Sequence, residues 1–212
     1  MSAAAGIIGT EELLDAFERI GRWASEAYPR QFREAVDAFE LMARPACIYD
    51  EHPAEDKVEA TGAAFSEWWL FEAVIDDSGR TPLLAYAEDG GDERLRAIAH
   101  DMADTQLFQQ FAVLALVPDE DAAVMSGVSD HGLYRVHNEY AARSRNWRRG
   151  LLGCRIARIG GLWYMVSLLP LHDNGGDPSD PDPDGEHFLG LVRKVLGVDG
   201  EFAQSVYVRR ED

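Results

Sequence analysis

Two cysteines, two lysines and no long apolar run are the first features of this 212-residue chain. Cys47 and Cys154 form no Cys-x-x-Cys pair, which excludes a zinc knuckle and a disulfide framework; both read as reduced thiols. A spanning helix needs roughly 18 or more consecutive apolar residues, and no such window exists, so no membrane association is expected. The N-terminal stretch Met-Ser-Ala-Ala-Ala-Gly-Ile-Ile has no basic region before its short apolar run. It does not read as a secretory leader, and the expected location is the cytoplasm. Also missing are His-Glu-x-x-His, the Gly-x-Ser-x-Gly elbow, a Walker loop and Gly-x-Gly-x-x-Gly. No cofactor is therefore expected.

A fourth absence is local. From Tyr140 to His172 there is no carboxylate side chain, whereas Arg143, Arg145, Arg148, Arg149, Arg155 and Arg158 all fall there. The whole chain is strongly acidic, with 38 Asp and Glu against 20 Lys and Arg, net −18. Residues 1–106 carry 23 acidic and 9 basic groups (−14), residues 107–172 carry 5 and 7 (+2), and residues 173–212 carry 10 and 4 (−6). A basic island between acidic flanks marks an interaction surface, within the chain or with a partner. Five Trp, seven Tyr and nine Phe supply the anchors of a packed core and exclude a disordered acidic chain.

Periodicity divides the chain at the same places. Leu13, Phe17, Ile20, Ala24 and Ala27 share one face of a helix over 11–28, with Thr10 as its expected cap and Pro29 as its stop. A second helix is expected over 30–43, and residues 50–61 read as a polar loop. The segment Phe65 to Ile75, with Trp68 and Trp69, is apolar around most of its circumference and so reads as a central buried helix. Thr81-Pro82 and Asp92 open two further helices.

After Gln106 the pattern becomes strand-like: 111–117, 123–128, 133–137, 151–159 and 162–168, the last two joined by Gly160-Gly161. Five short strands in so few residues predict a strongly curled sheet or small barrel. Residues 173–186 read as a mobile linker or long loop, 188–196 as a helix, and 202–208 as strand or helix. The expected class is α+β: an acidic helical part (1–106), a β-rich module (107–172), and an acidic linker with a C-terminal helix or tail (173–212).

Phe65-x-x-Trp68-Trp69-x-Phe71-Glu72, then Gly79-Arg-Thr81-Pro82-Leu83-x-x-Tyr86, then Cys154-Arg-Ile-Ala-Arg-Ile-Gly160-Gly161-Leu-Trp163 form a recognisable series. Over about residues 60–172 the chain resembles uncharacterised bacterial proteins that often end in a SEC-C zinc motif. The resemblance implies a helical part followed by a compact β module, and no established activity. The zinc motif itself is missing, because no cysteine follows Cys154.

Three groups of residues carry the functional expectations. The six arginines are candidates for binding an anion or an acidic partner, since a guanidinium fork matches carboxylate or phosphate. The alternative is a solvated loop or pairing with the protein's own acidic helices. Nearby Tyr140, Trp147, Trp163 and Tyr164 would add stacking for single-stranded nucleic acid, but the −18 charge opposes such a ligand. Trp68, Trp69 and Glu72 are candidates to line a pocket; core packing and an ion pair are the alternatives. Asp180, Asp182 and Asp184, followed by Gly185, match the opening of a calcium loop, although Leu191 stands where the bidentate Glu belongs. The leading functional expectation is a non-enzymatic interaction or regulatory module with a protein partner. A small enzyme using Glu72 or His137 in a cleft, and a nucleic-acid binder or mimic, are the alternatives.

Overall fold

The computed structural model describes residues 7–181 and 183–198. Among the described residues it is an α+β fold: five helices, a closed five-stranded barrel with one extra strand and a short sixth helix, and a C-terminal seventh helix. No helix among the described residues is long and apolar enough to cross a membrane.

The helical layer comprises α1 (Thr10–Ala27), α2 (Pro29–Ala43), α3 (Glu55–Phe71), α4 (Pro82–Asp89) and α5 (Glu93–Thr105). The start signals of α4 and α5 act as expected: Thr81 Oγ1 accepts from the Leu84 N–H, and Asp92 Oδ1 accepts from the Leu95 N–H. Two expectations are corrected. Gly9, not Thr10, caps α1, and Thr10 Oγ1 instead accepts from the Glu139 N–H at 3.3 Å, tying α1 to the β module. The expected loop over 50–61 is shorter, because α3 already begins at Glu55. Its polar first turn, Glu55 and Asp56, suits the positive end of a helix, and its small residues Ala60 and Ala64 are fully buried.

At the other end of α3, Trp68, Trp69, Leu70 and Phe71 are all buried. Successive helical residues point about 100° apart, so this run needs partners on every side. Phe39 packs on Trp68 (5.8 Å between ring centroids), Phe32 on Trp69 (5.3 Å) and Phe17 on Phe71 (6.0 Å). The remaining side faces the β module.

That module contains β1 (Leu107–Val117), β2 (Ala122–Gly127), β3 (Leu133–His137), α6 (Glu139–Arg143), β4 (Leu151–Ile159), β5 (Leu162–Met165) and β6 (Leu171–Asp173). The sheet order is β1-β2-β3-β5-β4, and β1 closes the barrel by pairing also with β4. The first residues of β1, Leu107 to Phe111, pair with β4; the rest pair with β2. Phe111 pairs with both neighbours, and a bulge between Val113 and Ala115 bends the strand within its pairing to β2. β3 and β5 pair in parallel and the other neighbours antiparallel, a five-stranded Greek-key arrangement with a short helix between β3 and β4. Gly160 and Gly161, both at positive φ (58° and 94°), make the β4–β5 hairpin.

Alternation sorts the strands into two faces. Phe111, Val113, Met125, Val136, Leu152, Cys154, Ile156 and Met165 fill the barrel, with Trp147 among them. Ala157, Ile159 and Tyr164 point outward into the core of the helical layer. Helix α7 (Phe188–Leu196) joins that second core through Phe188, Leu191, Val192, Val195 and Leu196. The acidic stretch before it is a long loop held against the barrel: Gly176 lies on Leu151 and Gly185 on Gln110, each so close that a Cβ would collide. Residues 202–208 lie outside the described residues.

Candidate functional site

The six arginines of the basic island have four different fates. Arg155 lies on the outer face of β4, beneath the helical layer, and is only 2% exposed. Its guanidinium donates Nε to Glu67 Oε1 at 3.3 Å, Nη1 to Gln106 Oε1 and Nη2 to Glu72 Oε1. Phe71, Phe108 and Phe188 surround it, with the ring of Phe71 4.7 Å from the guanidinium carbon. Its place is internal, and it is not available to a partner. Arg143 is exposed but paired, with Asp121 at 2.8 Å and Glu139 at 3.4 Å. Arg158 is exposed on the opposite side, where its backbone bonds to the Thr105 hydroxyl.

Arg145, Arg148 and Arg149 are the three that gather. They line an open concavity of about 720 Å³ with Ala115 and Leu116, the part of β1 just past its bulge. The local sequence explains the arrangement. Asn138 Oδ1 accepts from the Ala141 N–H and starts α6. A 3₁₀ turn, Arg145–Arg148, follows. Trp147 is buried in the barrel, so its neighbours stay on the rim. In a 3₁₀ turn residues i and i+3 are eclipsed, which stacks Arg145 and Arg148 on one side. Arg149 continues in extended conformation (φ −112°, ψ 138°), and its carbonyl is 2.6 Å from His172 Nε2. Gly150 then turns away at φ +74°.

None of these three arginines has a carboxylate partner among the described residues, and no Asp or Glu is among the described residues lining the concavity. Four of the module's five carboxylates are engaged elsewhere: Glu120 pairs with Arg135 at 2.5 Å, Asp121 and Glu139 pair with Arg143, and Asp130 binds the Tyr134 hydroxyl and the Gly132 N–H; the fifth, Asp119, does not line the concavity.

The stacking residues do not accompany the arginines. Trp147 and Tyr164 are buried, and Trp163 is half-buried edge-on to Tyr134 at 5.1 Å. Tyr140 is the one of the four with an exposed ring.

Trp68 and Trp69 are core residues and border neither this concavity nor the smaller groove described below. Glu72 is 32% exposed and held by Arg155. His137 is buried, with Nδ1 3.2 Å from the Glu120 carbonyl oxygen and its ring tilted on Tyr164. The acid/base candidates are thus engaged in structural contacts.

Glu67 was not singled out by sequence, yet it is fully buried and central. Its carboxylate accepts from Arg155 Nε, the Ser167 hydroxyl (3.2 Å) and the backbone N–H groups of Leu168 (2.8 Å) and Leu169 (3.4 Å). Burial pushes this carboxyl above the ordinary range, against the pull of Arg155 and the two N–H groups. An acidic residue inside the apolar run Phe65 to Phe71 was the available signal.

Of the proposed calcium ligands, Asp180 closes a turn with Asp177, while Asp182 and the Asp184 side chain lie outside the described residues. Among the described residues no group of three or more His, Cys, Asp or Glu is arranged to hold a metal. A smaller groove of about 290 Å³ runs between Cys47, Lys57 and Thr61 on one side and Val195 to Val198 on the other. Cys47 Sγ lies 3.2 Å from Thr61 Oγ1 there, and the buried Cys154 thiol is pushed well up by desolvation.

Comparison with family models, curated proteins and solved structures finds no match. The class of protein is therefore stated from the fold alone, an α+β protein with a five-stranded Greek-key barrel, and a fold of this kind does not imply one function.

Proposed function

We propose that this chain is a non-enzymatic interaction module that holds an anionic group of a protein partner in the Arg145–Arg148–Arg149 concavity. One observation carries the reading: three exposed guanidinium groups share one concavity without a counter-charge among the described residues, in a protein of net −18. Acidic groups are abundant elsewhere in the chain, so an unmatched basic trio is a local arrangement that an external anion completes. The position disfavours the nucleic-acid alternative. The trio sits on the turn before β4, beside the end of β1 and away from the β2–β3 face that carries oligonucleotides in five-stranded Greek-key barrels of the OB kind. Buried Trp147 and Tyr164 offer no stacking platform.

The test is titration of the full chain with a short diglutamate-containing peptide at low ionic strength, beside the variant Arg145→Gln/Arg148→Gln/Arg149→Gln. The wild type binds, binding weakens as salt rises, and the triple variant loses it while melting at the same temperature. Equal binding by both proteins refutes the reading, and so does a wild type that binds neither this peptide nor its phosphoserine counterpart.

A further inference from the structure

Resting on that reading, we infer that the anionic group is a phosphomonoester on a side chain of the partner protein. Three features of the concavity select it. First, Arg145 and Arg148 are eclipsed on the 3₁₀ turn and Arg149 follows directly, so three arginines line one concavity from one short segment. A phosphomonoester presents three terminal oxygens and nearly two negative charges in one compact group, whereas a carboxylate presents two oxygens and one charge.

Second, the wall opposite the arginines is made by Ala115 and Leu116, two apolar side chains on β1. That wall has nothing to offer a bare inorganic ion and suits the uncharged body that carries a phosphate. The concavity is open, so a side-chain phosphate can enter it while the partner's backbone stays outside.

Third, the surroundings penalise a long polyanion. Residues 1–106 carry −14 and residues 173–212 carry −6, against +2 for residues 107–172. An extended acidic tract or an oligonucleotide would spread charge toward those acidic parts, where repulsion opposes it. A compact dianion placed among the three arginines keeps its charge within the basic island. Like a single charge-assisted contact, each fork is worth most when its partner is ionised.

The experiment is calorimetric titration at constant ionic strength with five probes: a phosphoserine peptide, the same peptide with Glu in place of phosphoserine, phenyl phosphate, phenyl sulfate and an oligothymidylate. The phosphopeptide is expected to bind at least about tenfold more tightly than the Glu peptide (about 1.4 kcal/mol). Phenyl phosphate is expected to exceed phenyl sulfate at pH about 7.5 and to fall toward it near pH 5, as the second phosphate proton returns with its pKa of about 6. Arg148→Gln is expected to weaken phosphopeptide binding about tenfold with an unchanged melting temperature (charge-assisted contact). The inference is overturned by equal affinity for phosphate and sulfate, by an oligothymidylate that outcompetes the phosphopeptide, or by phenyl phosphate matching the peptide, which would assign the site to small metabolites. If the Glu peptide binds as well as the phosphopeptide and both depend on Arg148, this inference fails and the broader reading stands. If nothing binds, both fail.

Discussion

Replacing Glu67 is the most informative single perturbation of this fold. Glu67 and Arg155 are 0% and 2% exposed, and both sit where α3 packs on β4. Glu67→Gln keeps the shape but puts an amide NH₂ where one carboxylate oxygen accepts. At least one of four donors (Arg155 Nε, the Ser167 hydroxyl, and the Leu168 and Leu169 N–H groups) then faces another donor. Arg155 keeps Glu72, which is one-third exposed, and neutral Gln106. Removing one member of a buried pair costs about 3–5 kcal/mol. In a chain of this size 1 kcal/mol moves the melting temperature by about 2–4 °C, so a fall of about 6–20 °C is expected. Arg155→Met is expected to cost a similar amount, because Glu67 then lies buried beside no cation. The double variant is the decisive arm. Methionine fills the space between Phe71, Phe108 and Phe188, and the neutral amide at position 67 no longer needs a counter-ion. It should lose less than the sum of the single losses by about 2 kcal/mol or more. Thermal and denaturant melts of the four proteins measure this. Strict additivity, or a Glu67→Gln loss under about 1 kcal/mol, would show that the pair is not a coupled buried unit.

Two further outcomes follow from local geometry. Gly150 sits at φ +74°, and a Cβ there would lie 1.8 Å from the Asp173 carbonyl oxygen; Gly150→Ala is expected to destabilise by about 2 kcal/mol or more, read as a lower melting temperature, and to weaken phosphopeptide binding because Arg149 is its neighbour. On acidification, Asp76 (held down by Ser78 and Arg80), Asp92 (by the Leu95 N–H and Arg19) and Asp177 (by Ser179) all have lowered carboxyls. Their stabilisation is present above the ordinary Asp value of about 4 and is lost as pH falls below it, whereas Glu67, raised by burial, contributes with the opposite sign, its stabilisation lost as pH rises. Melts from neutral to acid should therefore show stability falling below about pH 4, and Glu67→Gln should remove the opposing component.

Local signals settled much of the architecture. Gly160-Gly161, Thr81-Pro82 and Asp92 each act through their own backbone, and the structure uses all three as turn or caps. Elements whose residues were chosen by distant partners were harder to read. The first turns of α3 look like a loop because Glu55, Asp56 and Lys57 are polar, while Ala60 and Ala64 are buried only by what packs on them. The start of β1 hides behind Gln109 and Gln110, which are buried polar residues. Helix α6 and strand β6, at five and three residues, are too short for periodicity.

The candidate site shows the same division. Arg145, Arg148, Arg149 and Arg155 stand in one carboxylate-free stretch, and composition treats them alike. Their separation depends on which way each chain segment turns. Strand alternation puts Cys154 and Ile156 inside the barrel and so puts Arg155 outside it, but only the docking of α3 decides that this outer face is buried. Trp147, by entering the barrel, keeps its arginine neighbours on the rim.

The two roles of arginine are connected through charge. Helix α3 supplies Glu67 and its cap residue Glu72 supplies a second carboxylate, both directed at Arg155. Arg155 is thus the buried arginine at which acidic groups of the helical layer meet the barrel, beside the apolar contacts of Ala157, Ile159 and Tyr164, and among the described residues the layer does not reach Arg145, Arg148 and Arg149. Had the layer covered Arg145, Arg148 and Arg149 instead, its many carboxylates could have matched them, and the proposed anion site would be closed. Arg155 is matched where the helical layer docks, and among the described residues that docking leaves the trio uncovered. It follows that Arg155→Met/Glu67→Gln should retain phosphopeptide binding if the layer stays in place. A loss of binding in a variant that still melts cooperatively would mean that the trio's geometry depends on this interface.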